Sequence, residues 1–534
     1  MHHVDKTNFG SIAIEVSGNA HCQVPYHAPI NELGSTGSRW QLVTIATLPD
    51  GPLLDIFSLY VEEAYEACDL DGAFEIKLLE AWCTLVHVCQ RWRNLVFVSP
   101  RRLNLRLVCT SGTPVREMLN IWPTLPIVVQ AQFLGSRARY CVDVSQNIDG
   151  IIAALEHRDR VCQIGLRNLS FDQFSVFATI LQESFPALTR LYLTSDIRWF
   201  EFPMLHPDSF LGGSAPRLRS LTLEGITFPE LPKLLLSSKN LVELFLLNVP
   251  HSGYISPEAI VACLSSLTNL EKFSLAFANP RSRLDGPSRR PPSFARVDLH
   301  SLVRLELHGV NDDIEDLLSQ VNAPLLTHTI VSFFDTPQFD ISQFDQFIGR
   351  VGNFKGHHQA RVKFDGGSWP TQFGLFADPT NGTTLGFSIS CPGLDWQLTS
   401  LAVLSTSSSS PFRLSSFERL ELCKGCAPPG YWDTAMQNTQ WLELFRPFTA
   451  VRDLYLEDEF AIPLARTLRQ FAGNRATEVL PALQNISLIR DTVFFEEDEV
   501  SNENLHFETV LQNIRPFTMA RQLLGCPVTV QFWN

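Results

Sequence analysis

Cys423 and Cys426 form a CxxC pair, the spacing in this chain that comes nearest to chemistry. Such a pair can hold zinc beside a second ligand pair, or pass electrons when it opens a helix after a strand. No second pair stands at zinc spacing, and Pro428 and Pro429 follow at once, so two ordinary loop cysteines are expected. His357-His358 lies in a Gly- and Lys-bearing stretch with no matching carboxylate or cysteine set, and reads as a solvent-facing turn. Glu496, Glu497, Asp498 and Glu499 form an acidic run, a solvated loop unless a basic partner covers it. GxSxG, GxxxxGK[ST] and HExxH are absent from the sequence. The expectation is a chain with no catalytic residues, no metal and no cofactor, and so not an enzyme.

One charged stretch points to binding. Asn279 to Ser293 (NPRSRLDGPSRRPPS) carries Arg281, Arg283, Arg289 and Arg290 among prolines. It is either a plain loop or a basic finger for an acidic or phosphorylated protein target. The chain as a whole has 534 residues and a formal net charge of -14, which disfavours nucleic acid and anionic membrane as partners. Met1 to Ala20 lacks the apolar core of a secretory signal, and no run of about 18 uncharged apolar residues occurs. Twelve cysteines scattered singly, several in apolar runs, fit reduced thiols in the cytosol or nucleus.

The elements that would position a binding surface come in two kinds. Residues 1–44 mix Gly, Ser, Asn and His without period and read as a loose arm. A helix should start at Pro49, with Leu53, Leu54, Phe57, Tyr60, Val61 and Ala64 on one face and a break over Asp69 to Gly72. Leu78, Trp82, Leu85, Cys89, Trp92 and Val96 then continue one helical stripe, stopped by Ser99-Pro100. Together these form a hook (45–101) with more apolar surface than about 50 residues can hide, so docking is its expected task.

A bridging section (102–160) should hold a helix near Pro114 to Ile121, a strand near Pro126 to Val129 and a helix near Asp149 to His157. From 161 to 534 the pattern L-x-x-L-x-L recurs, at Leu188/Leu191/Leu193, Leu218/Leu221/Leu223, Leu241/Leu244/Leu246, Leu270/Phe273/Leu275 and Leu302/Leu305/Leu307. It returns at Phe417/Leu420/Leu422, Val451/Leu454/Leu456 and Leu483/Ile486/Leu488, with Val161/Ile164/Leu166 an earlier member. Leu325/His328/Ile330 and Thr384/Phe387/Ile389 read as degenerate copies, and 335–400 resists phasing. Unbroken copies stand 23 to 34 residues apart, the spacing of leucine-rich repeats. Pro257 to Leu267 and Asp312 to Val321 look helical between hexads, the second behind an Asn311/Asp312 cap. One strand–helix unit cannot bury its apolar side alone, and stacking buries it. The fold class is therefore α/β: a helical hook, then an irregular leucine-rich-repeat horseshoe with a curved parallel sheet. A βα protein with frequent leucines is the plainer alternative.

Residues 48–100 resemble an F-box: Leu48-Pro49, then Leu53-Leu54-x-Ile56-Phe57, then Val88-Cys89-x-Arg91-Trp92-Arg93-x-Leu95. With the repeats, the chain resembles the F-box/leucine-rich-repeat families expanded in fungi. Trp122-Pro123-x-Leu125-Pro126 and Ala153 to Cys162 look like their bridging section. The F-box likeness covers about a tenth of the chain. It implies a substrate receptor of a cullin-based ubiquitin ligase, with a Skp-family adaptor linking it to the cullin. The implied adaptor-facing set is Leu48, Pro49, Leu53, Leu54, Ile56, Phe57, Val88, Cys89, Trp92 and Leu95. An adaptor-bound scaffold that never joins a cullin is a second reading, and an enzyme with a site in strand-end loops a third.

Overall fold

A computed structural model describes residues 45–67, 81–122, 124–133, 148–196, 209–226, 228–278, 296–334, 342–351, 359–364, 372–378, 384–390, 414–424, 438–473, 475–489 and 500–533. The N-terminal arm, the insert at 68–80, the arginine loop Arg281 to Arg290, His357-His358, Cys426 and the acidic run 496–499 lie outside the described residues. The chain forms two units, Met1–Ile56 and Phe57–Asn534.

In the first unit a 3-10 turn (Ile45–Thr47) leads through Leu48-Pro49 into the start of helix α1 (Asp50–Ala67), whose residues from Phe57 onward belong to the second unit. The N–H of Leu53 donates to the Pro49 carbonyl at 3.2 Å, and Asp50 adds negative charge to the first turn.

Beyond α1, the second unit departs from the single stripe that the spacing suggests. Helix α2 (Ala81–Val88) stops, and helix α3 (Gln90–Val98) starts anew. Cys89 between them is extended (φ -160, ψ 168), and its Sγ accepts the Trp92 N–H at 3.4 Å. Arg93 spans the break, its Nε donating to the Val86 carbonyl at 3.0 Å. The period of 3.6 survives because both helices carry an apolar face, so the pattern alone does not betray the step. Val88 and Cys89, which sit on it, are exposed.

The strands, in chain order, are β1 (Leu107–Thr110), β2 (Ile127–Gln132), β3 (Val161–Leu169), β4 (Arg190–Ser195), β5 (Ser220–Glu224) and β6 (Glu243–Val249). Next come β7 (Lys272–Phe277), β8 (Val297–Asp298), β9 (Arg304–Gly309), β10 (Val321–Asn322), β11 (His328–Phe333) and β12 (Gln359–Phe364). The last six are β13 (Gln372–Asp378), β14 (Thr384–Ser390), β15 (Arg419–Lys424), β16 (Asp453–Glu457), β17 (Asn485–Ile489) and β18 (Thr529–Trp533). Sixteen of them build one curved sheet in the order β1-β2-β3-β4-β5-β6-β7-β9-β11-β14-β13-β12-β15-β16-β17-β18, and β8 pairs with β10 apart from it. Parallel neighbours need crossovers. Helices supply most of them: α4 (Val115–Ile121), α5 (Ile148–Leu155), α6 (Phe171–Ile180), α7 (Leu231–Ser237), α8 (Pro257–Leu264), α9 (Asn311–Gln320), α10 (Ser342–Arg350), α11 (Asn438–Phe445), α12 (Asp458–Arg469) and α13 (Val500–Leu523). The sheet begins at β1, in the bridging section, before the first hexad.

Two apolar rungs run through the array. Leu191, Leu221, Leu244, Phe273 and Leu305 stand opposite one another in register, as do Leu193, Leu223, Leu246, Leu275 and Leu307, and all ten are buried. The hexads' first leucines, Leu188, Leu218, Leu241, Leu270 and Leu302, are buried beneath them. A second bond pattern ties repeat to repeat. The carbonyls of Thr189, Arg219, Val242, Glu271 and Val303 each accept two successive N–H groups from the next strand's start. The fold is a leucine-rich-repeat array.

The degenerate copies are re-phased. On β11 the residues in the two rungs are Thr329 and Val331, behind Leu326; Leu325 is exposed. On β14 they are Leu385 and Phe387. The choice between adjacent Leu325 and Leu326 is invisible to a pattern of period two, and only pairing decides it. Between β11 and β15 the order is reversed: β12, β13 and β14 form a meander with β13 antiparallel to both neighbours. Ala377 and Leu375 on β13, then Ala360 and Val362 on β12, carry the rungs to Leu420 and Leu422.

Local chemistry fixes the joints. Ser256 caps α8, accepting the Ala259 N–H at 3.3 Å. The Asn311/Asp312 cap does not form: Val310 holds the capping position, and Asn311 is already helical. Instead Glu315 on α9 caps the next helix, accepting the Gln343 and Phe344 N–H groups at 2.7 and 3.0 Å. Asn168, Gly225 and Asn248, each two residues past a third leucine, take positive φ (56, 67 and 49°), where Asn and Gly are tolerated.

Candidate interaction surfaces

In the first unit, Leu53 and Leu54 are buried, Leu48 is half-buried, and Pro49 and Ile56 are exposed. In the second, Phe57 is buried with its ring edge-on to Trp92, centroids 4.6 Å apart. Trp92 and Leu95 are half-buried, and Val88 and Cys89 face solvent. The set implied by the F-box likeness is thus divided: Leu53, Leu54 and Phe57 are buried, and the remainder reach the surface. Trp82 and Leu85 are buried as well. Trp82 and Phe97 both pack on Trp122 beyond α4, at 6.1 and 5.1 Å between centroids, which anchors the α2–α3 step to the bridging section.

Apolar surface nevertheless remains on the hook. Val98 is 82% exposed, Leu59 67% and Val88 55%, with Tyr60 and Phe97 partly open beside them in sequence. Leu59 and Val98 lie off the stripes, and an apolar residue on a helix's polar face is the sequence signal that marks each of them.

The outward face of the strands carries the residues between the rung leucines. It is polar and largely self-paired. Glu243 accepts from Ser220 at 3.0 Å and Lys272 at 2.8 Å. Glu306 accepts from Arg304 at 2.6 Å and meets His328 at 3.3 Å. Those bonds, the His328 bond foremost, hold the Glu306 carboxyl down at about 2 against the opposing effect of burial. Arg167 lies over the Tyr192 ring at 4.8 Å, and Arg419 over Tyr455 at 3.8 Å. The alternating polar positions within each hexad announced this face in the sequence.

Cys423 is buried on β15, and burial, then the neighbouring Glu421 and Glu457, pushes its thiol up. That is the opposite of a poised thiolate. Among the described residues, no group of three His, Cys, Asp or Glu stands placed to hold a metal ion, and no helix is long and apolar enough to cross a membrane.

No family model matches the chain, and no curated protein does. Among solved structures, the leucine-rich repeat-containing protein LegL7 from Legionella pneumophila is similar. It is 12% identical over 77% of this chain and 97% of that one, with a TM-score of 0.24. The repeat fold rests on strand register and buried rungs, independently of that likeness.

Proposed function

We propose that this chain is a substrate-recognition subunit of a Skp/cullin/F-box ubiquitin ligase. Its N-terminal hook docks a Skp-family adaptor, and its repeat array holds a protein target. The observation that supports this most is the uncovered apolar surface on α2 and α3 beside the Phe57–Trp92 pair, within the F-box-like segment. On this reading the chain performs no bond chemistry. It raises the local concentration of a target's lysines near a ligase carried on other chains. The scattered single cysteines suit the cytosol or nucleus as the place of work.

The test is capture of a recombinant Skp-family adaptor by the full chain. Val88→Asp places a charge on exposed surface and leaves the core alone, so capture should fall at least about tenfold with circular dichroism unchanged. Trp92→Ala should cost on the order of 2 kcal/mol of binding. Undiminished capture by Val88→Asp would remove the case for docking here. Adaptor retained without cullin would favour a scaffold acting outside a ligase.

A further inference from the structure

The starts of strands β5 to β7 frame an open groove of about 540 Å³, lined among others by Arg217, Arg219, Asn240, Val242, Asn269 and Glu271. Its size is that of a ligand site. Arg219, Val242 and Glu271 directly precede the register-matched residues Ser220, Glu243 and Lys272, so they occupy equivalent places in successive repeats. Arg217, Asn240 and Asn269 each stand two residues earlier and form a second row.

The walls are fixed before any ligand arrives. The backbones of Arg219, Val242 and Glu271 belong to the repeat-to-repeat bond pattern. Asn240 donates to the Pro216 carbonyl at 2.8 Å, and Asn269 to that of Lys239 at 3.3 Å. The guanidinium groups are different. Arg217 and Arg219 are exposed, and neither makes a side-chain hydrogen bond or ion pair with the described residues. On the strand faces, by contrast, Arg304, Lys272 and Arg419 are engaged by a carboxylate or ring. Two unengaged cations at one end of a rigid polar groove, in a chain of net charge -14, call for an anionic partner.

We infer that this groove binds a short, extended, acidic peptide segment, with its carboxylates on Arg217 and Arg219. The floor at Val242 accommodates an uncharged middle. Glu271 sets the polarity: two strand steps separate it from Arg219, roughly 10 Å or three extended residues. An acidic residue is therefore favoured at one end of the segment and disfavoured about three positions on. This names the chemistry of the target that the proposed receptor would hold, and so rests on that reading for its biological sense.

The experiment measures anisotropy of fluorescein-labelled Asp-Asp-Ser-Gly-Ser and Lys-Lys-Ser-Gly-Ser against the full purified chain. The acidic peptide should bind more tightly, and more weakly as salt rises. Arg217→Ser with Arg219→Ser should weaken it about tenfold. Glu271→Gln should strengthen binding of an Asp-Ser-Gly-Asp probe, a gain that misfolding cannot produce. Equal binding of the two pentapeptides, or indifference of the acidic one to the double arginine variant, would overturn the inference. No adaptor is present in this assay, so its failure leaves the adaptor-capture result standing, and the reverse holds equally.

Discussion

The stretch β4 to β11 and the meander β12 to β14 solve one problem with opposite means. In the first, every strand of the large sheet runs the same way and a large apolar residue fills the rung that starts at Leu191: Leu191, Leu221, Leu244, Phe273, Leu305, with Thr329 the exception. In the second, strand direction alternates, and the same rung passes through Leu385, Ala377 and Ala360 before regaining Leu420. What persists across the boundary is register, not direction or side-chain size. A sheet of this kind tolerates an inverted insert provided that apolar positions meet apolar positions along each rung.

Exchanging rung residues between the two stretches would break the comparison most. Leu221 and Ala360 occupy the same rung and are both buried. Leu221→Ala should destabilise by about 2–5 kcal/mol through lost transfer energy and a residual cavity. Ala360→Leu should destabilise too, by roughly 1–3 kcal/mol, because the meander has closed around a methyl group. Denaturant unfolding measures both. A stabilising Ala360→Leu would mean that the meander holds spare room, and that register there is not set by packing.

Thr329 sharpens the same point with the opposite sign. It is fully buried in the leucine rung, and its Oγ1 has no hydrogen-bond partner among the described residues. Thr329→Val keeps the shape and removes an unsatisfied hydroxyl, so stability should rise by about 1 kcal/mol. A fall in the unfolding midpoint would show that the hydroxyl is served by something other than the surrounding protein atoms.

These rungs also show what the sequence could disclose. The hexads from Val161/Ile164/Leu166 to Leu302/Leu305/Leu307, and again from Phe417/Leu420/Leu422 onward, lie on strands because three buried positions at fixed offsets leave little choice of phase. Where neighbours are also apolar, as at Leu325-Leu326 or Leu385-Gly386-Phe387-Ser388-Ile389, phase slips by one or two residues, since alternation has no origin of its own. Strand direction leaves no mark in a period of two, so the inverted meander was hidden. The step at Cys89 was hidden likewise, because the stripe passes straight through it. On the hook, residue types disclose the apolar surplus, but not which members are covered: Leu53, Leu54 and Phe57 are buried while Val88 and Val98 are exposed. Arg217 and Arg219 leave no sequence signal, because they flank the first leucine of a hexad singly and form no run.

The smallest effect tests whether the outward face of the regular stretch is as strictly set as the rungs behind it. His308 on β9 stands edge-on to Phe334, centroids 4.6 Å apart, and burial pulls its imidazole down to about 4 from an ordinary 6.5. The folded chain therefore refuses a proton that the unfolded chain accepts between those values. Stability from this group is fully present above pH 6.5 and drains away as pH falls toward 4. Glu306, held at about 2 by His328 and Arg304, acts in the same sense but in the lower window, from about 4.5 downward. Between pH 7 and 5 the thermal midpoint should thus drop, and His308→Gln should flatten that drop without touching the acid limb below pH 4. If the drop persists in His308→Gln, the imidazole is reached by water, and the outward face is looser than the rungs it covers.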